Sequence, residues 1–326
     1  YNKKIHVLNP KQVNKFKLSY NDLPKNDYVD SFVIADCLRF GRINKEVYLD
    51  DYRYVALKNL TRARFFAVQN LTREKQRFMN HLFKKYSTMA QEKVFSDTFS
   101  TTALAVYESF ESAEALANMD LHQLTEFIIE KGKNRFPDPD SVAKAIQKAA
   151  RSSYRLPKTV NDSVNQVLSI SISSMRAMES QIKAFDKAIA EQMALIPNTL
   201  TSVNGIGPVY SAGIIAEIGD INRFPNQASL AKYAGLVWSQ HQSGDFEAQN
   251  TRMIQSGNRY LKYYLCEAAL SLVRCDAEYR SFYHRKYKEV NKYQHKRALA
   301  LTARKFVRLV FRLLKDNCLY RAPESK

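Results

Sequence analysis

Two aspartates stand three residues apart where the sequence pattern predicts the start of a helix. Asp27 and Asp30 follow a polar loop, 21–26, and precede an apolar helical pattern that runs to about Phe40. Both carboxylates would point to one side of the first helical turn. Paired carboxylates can hold Mg²⁺, which assists attack on a phosphodiester. The alternative is that Asp27 caps the helix and Asp30 favours its positive end.

A serine followed by a glycine, Ser243-Gly244, lies in a polar stretch that we expect to form a flexible loop after a helix at 228–235. A serine hydroxyl attacks phosphorus when a base or a metal takes its proton and the developing charge is stabilised. His241 is a nearby proton acceptor by sequence. On local sequence alone, an ordinary loop serine is the simpler interpretation.

The segment 203–207 places two glycines, Gly205 and Gly207, before a helical pattern at 209–218. Glycine lets a backbone approach a phosphate closely, and the start of a helix offers free N–H groups. This arrangement resembles a helix-hairpin-helix, which binds the DNA backbone without reading sequence. A plain tight turn between two helices explains it equally well.

Several cations stand where they could meet phosphates. Arg259 and Lys262 lie in the first turn of a predicted helix that Ser256 would cap, and Arg252 precedes it. Eleven Lys and Arg residues, against the single acid Glu289, occupy 285–315. From this last segment we predict a helix whose arginines bind backbone phosphates in a salt-dependent way: Arg297, Arg304, Arg308 and Arg312.

The composition favours a polyanionic partner. The 326 residues carry a formal net charge of +18, and 45% of them are hydrophobic, enough for real cores. Aromatic residues interleave with the basic ones near the carboxyl end, which favours nucleic acid over an anionic membrane. No apolar run is long enough to span a bilayer. The four cysteines form no CxxC pair, so we expect reduced thiols in a cytoplasmic protein.

The elements that must position these residues are mostly helical, so the predicted fold class is mainly α. A short strand is expected at 4–8, followed by the helix at 27–40. A long helix is expected at 51–86 and another at about 164–189, whose apolar residues repeat in heptads with Ser171 interrupting. That repeat indicates either an antiparallel pairing with 51–86 or a dimer contact. No function is predicted for the shorter helices at 88–158.

The motifs together resemble the insertion-sequence-110 family of transposases, which includes the Piv-type invertases and the bridge-RNA-guided recombinases. The stretch KNDYVDSFVIADCLRFGR, 25–42, resembles the end of the family's RuvC-like DEDD domain, an RNase H-like α/β fold. The region 204–270, beginning NGIGPVYSAG, resembles its C-terminal domain. The resemblance divides the chain into the end of the RuvC-like domain at 1–50, a coiled-coil region at 51–197, and a C-terminal transposase domain at 198–326.

The resemblance also implies roles for individual residues. Asp27 and Asp30 match the last two acids of the four-carboxylate metal site, for which Mg²⁺ is the expected ion. Ser243 matches the nucleophile that links covalently to DNA. The family's first two acids would precede Tyr1. We therefore expect part of the RuvC-like domain to be missing, and we expect no four-carboxylate site from these residues alone.

The partners implied by the resemblance are a structured bridge RNA, target and donor DNA, and further copies of the chain in a homodimer or homotetramer. The expected setting is the prokaryotic cytoplasm, in association with the nucleoid and not a membrane. The predicted function is an RNA-guided DNA recombinase. Two alternatives stay open: a non-catalytic nucleic-acid-binding scaffold, and a site-specific DNA invertase that uses the same chemistry.

Overall fold

The computed structural model describes residues 6–41, 51–92, 94–239, 242–243, 246–247 and 252–321. Within these ranges the chain forms fourteen α-helices, two three-residue 3-10 helices and one pair of two-residue strands. The mainly α fold class predicted from sequence is confirmed. None of the helices in the described ranges is long and apolar enough to cross a membrane.

The first two helices pack together as a small unit: α1 (Pro10–Lys17) and α2 (Asp27–Arg39). The helix predicted at 27–40 is confirmed. Its cap, however, is Asn26, whose side-chain oxygen accepts a hydrogen bond from the Val29 N–H at 2.8 Å. The predicted strand at 4–8 is wrong where it can be judged, because residues 6–8 are in neither helix nor strand and residues 4–5 lie outside the described ranges. An extended segment becomes a strand only through ladder hydrogen bonds, and no described strand pairs with 6–8.

Two long helices form the main axis of the molecule: α3 (Tyr52–Lys85) and α9 (Lys158–Met193). Arg64 pairs with Asp186 at 2.5 Å, and Lys75, farther along α3, pairs with the earlier Glu179 of α9 at 3.3 Å. The pairing is therefore antiparallel and lies within one chain. At 1.5 Å per residue, each helix is roughly 50 Å long.

The heptad residues of α9 are buried or partly buried in the folded chain. Val164, Leu168 and Met175 are at most 5% exposed, and Ile189 is fully buried. Ser171 is also buried, and its hydroxyl donates to the Glu74 carboxylate of α3. Of the two arrangements the repeat allowed, the structure contains the pairing with 51–86.

Five short helices fill the chain between the long ones: α4 (Ser87–Gln91), α5 (Thr101–Ser109), α6 (Ala113–Asn118), α7 (Leu121–Gly132) and α8 (Pro139–Arg151). They enclose a hydrophobic core of their own with the end of α3 and the start of α9. Phe78 and Leu82 of α3 meet Tyr107 of α5 and Leu168 of α9 in this core. The segment predicted to hold shorter helices is thus a packed unit at one end of the axis.

The other end of the axis packs into a second hydrophobic core made by the C-terminal part of the chain. Its elements are two 3-10 helices, η1 (Leu200–Ser202) and η2 (Ile221–Arg223), and the helices α10 (Pro208–Ile218), α11 (Gln227–Tyr233), α12 (Arg259–Cys275), α13 (Ala277–Lys288) and α14 (Gln294–Lys315). Strands β1 (Gln242–Ser243) and β2 (Phe246–Glu247) lie between α11 and α12.

A lysine is buried where α3 ends. Lys85 is 2% exposed, and its ammonium donates to the Tyr107 carbonyl oxygen at 2.9 Å. It also lies 5.1 Å from the centre of the Tyr86 ring. Burial lowers the pKa of Lys85 to about 8, because a desolvated ammonium is disfavoured.

This lysine should make stability depend on pH in an unusual direction. Between about pH 8 and the ordinary lysine pKa of 10.5, the unfolded chain binds more protons than the folded one, so the free energy of unfolding rises with pH. Relative to Lys85→Met, we expect a rise of up to about 3 kcal/mol across this window. Denaturant titrations below, within and above the window would measure it. The neighbouring Lys84→Met is the exposed control, and parallel curves for wild type and Lys85→Met would contradict the prediction.

Candidate functional site

The two aspartates lie at the start of α2, as the sequence predicted, but in unequal surroundings. Asp27 is exposed at the first helical position. The Asp30 side chain is 49% exposed and pairs with the Lys17 ammonium of α1 at 2.6 Å. The Lys17 ammonium also donates to the Pro24 carbonyl oxygen at 3.3 Å. This second hydrogen bond keeps the ammonium beside the first turn of α2.

The two aspartates are fewer oxygen groups than a metal site needs. Mg²⁺ takes six oxygen ligands, of which protein carboxylates usually give two or more. The next acid on α2, Asp36, is already used by the Tyr20 hydroxyl and by the Arg39 guanidinium at 2.7 Å. No group of three or more His, Cys, Asp or Glu side chains in the described ranges is arranged to hold a metal. Asp27 and Asp30 therefore fit a divalent cation only together with ligands from elsewhere, and Lys17 would have to release Asp30.

Ser243 lies in a hairpin, which corrects the expectation of a flexible loop. In the antiparallel pair β1–β2, Ser243 stands opposite Phe246 and Gln242 opposite Glu247. The sequence between them, Gly244-Asp245, suits a tight two-residue turn, because glycine tolerates the backbone that such turns need. Those two residues and His241 lie outside the described ranges. The sequence reading missed this ladder because each strand is only two residues long.

The root of this hairpin is a second short ladder. Trp238 forms a β-bridge with Met253, and the Ser239 amide donates to the Arg252 carbonyl oxygen at 2.9 Å. The Ile254 amide donates to the Val237 carbonyl oxygen at 3.0 Å. Arg252, a predicted phosphate ligand, thus stabilises the hairpin root through its backbone. The residue as a whole is exposed.

The glycines of the predicted helix-hairpin-helix have different surroundings. Gly205 has φ +89°, and a Cβ there would lie 2.9 Å from the Cβ of Cys275, so it permits close packing against the end of α12. Its carbonyl oxygen accepts the Ser271 hydroxyl at 2.6 Å. Gly207 has open space around it and precedes α10, which has no side-chain cap. Of the two, only Gly207 leaves its backbone accessible to a phosphate.

The four arginines of the basic helix α14 also differ. Arg297 is engaged by Glu289 at 2.9 Å and donates to the Lys286 carbonyl oxygen at 3.2 Å. Arg304 is half-buried, and burial lowers the pKa of its guanidinium, as does the charge of Arg308. Arg308 is exposed. Arg312 is 77% exposed and 3.8 Å from Asp316. Arg308 and Arg312 are one turn apart, so the two most exposed of these four arginines lie on one side of the helix.

The two cations at the start of α12, Arg259 and Lys262, have different surroundings. The Arg259 guanidinium lies 4.9 Å from the centre of the Tyr260 ring and 5.7 Å from that of Phe65 in α3. Lys262 is half-exposed one turn farther on, beside Cys266. Burial raises the pKa of the Cys266 thiol to about 11, which keeps that thiol protonated and unreactive.

A buried carboxylate organises this corner. Glu217, at the end of α10, is fully buried and accepts two hydrogen bonds from Arg62 of α3, at 2.7 and 2.9 Å. It also accepts the Asn258 side-chain amide at 2.7 Å. The Asn258 oxygen caps α12 by accepting the Tyr260 and Leu261 amides. The hydrogen bonds to the Glu217 carboxylate raise the pKa of the Arg62 guanidinium.

Sequence reasoning missed three cations near this carboxylate: Arg62, Arg223 and Lys232. They come from α3, η2 and α11, and no local pattern links them. In the sequence these three residues are marked only by being basic, because the segments around them contain no motif. Their grouping depends on contacts between residues as far as 155 positions apart.

Two family models match the chain at separate places. The DEDD transposase model of IS110 elements matches residues 1–86, and the model of the transposase IS116/IS110/IS902 family matches residues 198–284. Together they account for more than half of the chain. The first contains Asp27 and Asp30, and the second contains Ser243 and the hairpin that carries it.

Three curated relatives are similar to the chain. It is 26% identical over 319 residues to the insertion element IS116 uncharacterized 44.8 kDa protein of Streptomyces clavuligerus, an alignment that covers 94% of this chain and 75% of that protein. It is 32% identical over 145 residues to the insertion element IS110 uncharacterized 43.6 kDa protein of Streptomyces coelicolor, over 44% and 34% of the two chains. A probable family 20 transposase of Pseudomonas aeruginosa is 31% identical over 100 residues, 31% of this chain and 28% of that one.

The family matches define a transposase, a class of enzyme that cuts and rejoins DNA. More particularly, the chain belongs to the IS110/IS116/IS902 family of insertion-element transposases. The family resemblance predicted from the sequence is confirmed. The DEDD domain type is that of a site dependent on a divalent metal.

The buried carboxylate gives a stability prediction. Glu217→Ala should lower the free energy of unfolding by about 3 kcal/mol, because it leaves the Arg62 charge and the Asn258 amide without their acceptor. Glu217→Gln should cost less, because one oxygen acceptor remains. Denaturant unfolding measures both.

A half-exposed carboxylate in the same helical axis is the matched control. Glu179 pairs with Lys75 at 3.3 Å with 49% of its side chain exposed. Glu179→Ala should cost no more than about 1 kcal/mol. Equal losses for Glu217→Ala and Glu179→Ala would show that the buried network is not organising this corner.

Proposed function

We propose that this protein is an RNA-guided DNA recombinase of its insertion element, with Ser243 as nucleophile and Asp27 and Asp30 as ligands of Mg²⁺. The observation that carries the proposal is that these residues occur together in family order, each inside a region that a family model matches.

The proposed chemistry is a transfer of one phosphodiester bond to the serine. The Ser243 oxygen attacks a DNA phosphorus and loses its proton to a base. The bond from phosphorus to one deoxyribose oxygen breaks, and that oxygen takes up a proton and leaves as a hydroxyl. A hydroxyl of another strand then attacks the phosphoserine, restores the phosphodiester and frees Ser243. The number of phosphodiester bonds is conserved, so no external energy source is needed.

The residues at the acid site would prepare the phosphate for this attack. Mg²⁺, when bound, supplies positive charge that offsets the negative charge developing on the phosphate oxygens. Asp27 is exposed and accessible as a ligand, and Asp30 becomes one when Lys17 turns away. Because no three His, Cys, Asp or Glu side chains among the described residues are grouped so as to hold a metal, the remaining ligands would come from outside the described ranges or from another copy of the chain.

The proposed partners are a structured bridge RNA, which pairs with target and donor DNA, and further copies of the chain in a dimer or tetramer. The net charge of +18 supports a polyanionic partner. The exposed Arg308 and Arg312 on α14 and the open backbone at Gly207 are surfaces suited to phosphates. Inversion between two sites of one DNA molecule would use the same chemistry.

A second candidate function is a nucleic-acid-binding scaffold without catalysis. The pairing of Lys17 with Asp30 favours it, because a lysine occupies the place that a metal would take. This candidate keeps the basic surfaces and needs neither Ser243 nor Mg²⁺.

The nucleophile is tested by a covalent adduct. The full-length protein with donor and target DNA, the RNA encoded beside its gene and Mg²⁺ should form a detergent-resistant protein–DNA adduct. Ser243→Ala should abolish the adduct and leave RNA and DNA affinity unchanged, because only the attacking oxygen is removed. Denaturing electrophoresis and filter binding measure the two.

Ser239 is the matched control for this substitution. It lies in the same hairpin and donates its hydroxyl to the Arg252 carbonyl oxygen at 2.9 Å. Ser239→Ala should keep the adduct. An adduct retained by Ser243→Ala would reject this nucleophile, and tight nucleic-acid binding with no adduct in any variant would favour the scaffold.

The basic helix is tested by the salt dependence of DNA binding. Arg308→Gln should lower the slope of log affinity against log salt by about 0.9, because one phosphate contact is lost for every sequence. Arg297→Gln should change the slope less, since Glu289 already engages that arginine. Titrations of two unrelated duplexes at several salt concentrations measure both slopes. A loss confined to one duplex would contradict a backbone contact.

A further inference from the structure

An open cleft of about 1140 Å³ lies where α3 meets the C-terminal helices. Asn9, the cap of α1, also lines the cleft, so the cleft borders the α1–α2 unit that carries Asp27 and Asp30, while none of its lining residues belongs to α14. Its polar lining comes from four elements and includes Arg62, Arg223, Lys232, Tyr233, Asn258 and Arg259. Four of these six are cations, although only Arg259 stands in a segment that the sequence marked as basic.

The charges in the cleft do not cancel. Glu217, the carboxylate beside it, is fully buried, and its oxygens are taken by Arg62 and Asn258. Lys232 and Arg259 have no carboxylate within 4 Å in the part of the chain that the structure describes, and both are exposed. The cleft therefore presents net positive charge to whatever enters it.

The arginines of the cleft lie over aromatic rings. Arg223 lies 4.6 Å from the centre of the Phe224 ring and 4.7 Å from that of Tyr233. Arg62 lies 4.4 Å and Arg259 lies 4.9 Å from the centre of the Tyr260 ring. A guanidinium stacked in this way loses little freedom on binding, and its N–H edge matches the paired oxygens of a phosphate.

The hairpin that carries Ser243 starts and ends at this cleft. Gly257 lines the cleft, and a Cβ added to it would lie 2.6 Å from the amide nitrogen of Gly235, where the hairpin root begins. Both glycines have positive φ, +71° at Gly235 and +127° at Gly257, and the two backbones touch only because neither carries a side chain. Eight residue steps separate Gly235 from Ser243, a span of at most roughly 28 Å.

We propose that this cleft binds the phosphodiester backbone of the nucleic-acid strand that passes the Ser243 hairpin. Arg223, Lys232 and Arg259 are the phosphate ligands, and Arg62 with Glu217 keeps the wall in place. The chemistry that the cleft recognises is the phosphate, because four of its polar lining residues are cations and guanidinium groups lie over the rings of Phe224, Tyr233 and Tyr260. That the strand belongs to the recombination reaction rests on the proposed function; that the cleft binds a phosphodiester does not.

The double variant Lys232→Gln/Arg259→Gln tests the cleft with short single-stranded DNA and RNA oligonucleotides of one sequence. Loss of two phosphate contacts should lower the slope of log affinity against log salt by about 1.4. Arg259→Lys, which keeps the charge, should retain the slope. Fluorescence anisotropy across a salt series measures these values, and thermal unfolding checks that the exposed substitutions leave the fold intact.

The matched control removes two exposed cations elsewhere. Lys144 and Arg151 lie on α8, in the unit at the far end of the α3–α9 axis. Lys144→Gln/Arg151→Gln should leave the slope unchanged. Equal slopes for the two double variants would overturn the proposal, since the loss would then reflect net charge alone. Binding of poly-glutamate that weakens as much as oligonucleotide binding would overturn it too.

The two nucleic acids separate the possible sources of the strand. A slope change with DNA alone assigns the cleft to a DNA strand, a change with RNA alone assigns it to RNA, and either supports a phosphodiester site. The binding assay does not use Ser243. If the protein forms no adduct but the cleft double variant still lowers the salt slope, the cleft proposal stands and the nucleophile is rejected. If the adduct forms but the double variant leaves the salt slope unchanged, the nucleophile stands and the cleft proposal is rejected.

Discussion

The contact between the Glu217 carboxylate and the Arg62 guanidinium is the interaction on which the arrangement of the rest depends. A fully buried carboxylate is tolerated only when charge and hydrogen bonds compensate it, and here Arg62 and Asn258 do so. Because these groups come from α3, α10 and the cap of α12, their pairing fixes the long helical axis relative to the C-terminal core. It also places the start of α12 next to the end of α11, where the cleft and the hairpin root lie.

The axis carries this order to the far end of the molecule. The antiparallel helices α3 and α9 are each roughly 50 Å long. The helices α4–α8 therefore pack on a core of their own, which shares no buried residue with the C-terminal core. Neither family model covers α4–α8, whereas one covers the segment with Asp27 and Asp30 and the other covers the segment with Ser243. The helices α4–α8 are thus an addition to the parts that the family models describe.

In the proposed mechanism the reacting groups lie on different elements. Asp27 and Asp30 lie on α2, and Ser243 lies on β1, in the hairpin between α11 and α12. The cations are also divided, since Arg297 is committed to Glu289 while Arg308 and Arg312 stay available. Such a division suits a substrate that is long and charged along its whole length, because a nucleic-acid strand can contact distant surfaces of one protein at once.

The sequence by itself determined the helices, the family and the identity of the candidate residues. Helix α2, the long helices and the heptad burial of α9 follow from local periodicity and caps, which act over a few residues. Three features depended on tertiary contacts: the pairing of α9 with α3, the hairpin that contains Ser243, and the ion pair between Arg297 and Glu289. The same holds for Gly205, whose role is packing against Cys275, and for the cleft of Arg223, Lys232 and Arg259. Charges that are far apart in sequence converge only when the buried Glu217 brings their helices together, and no local pattern encodes that distance.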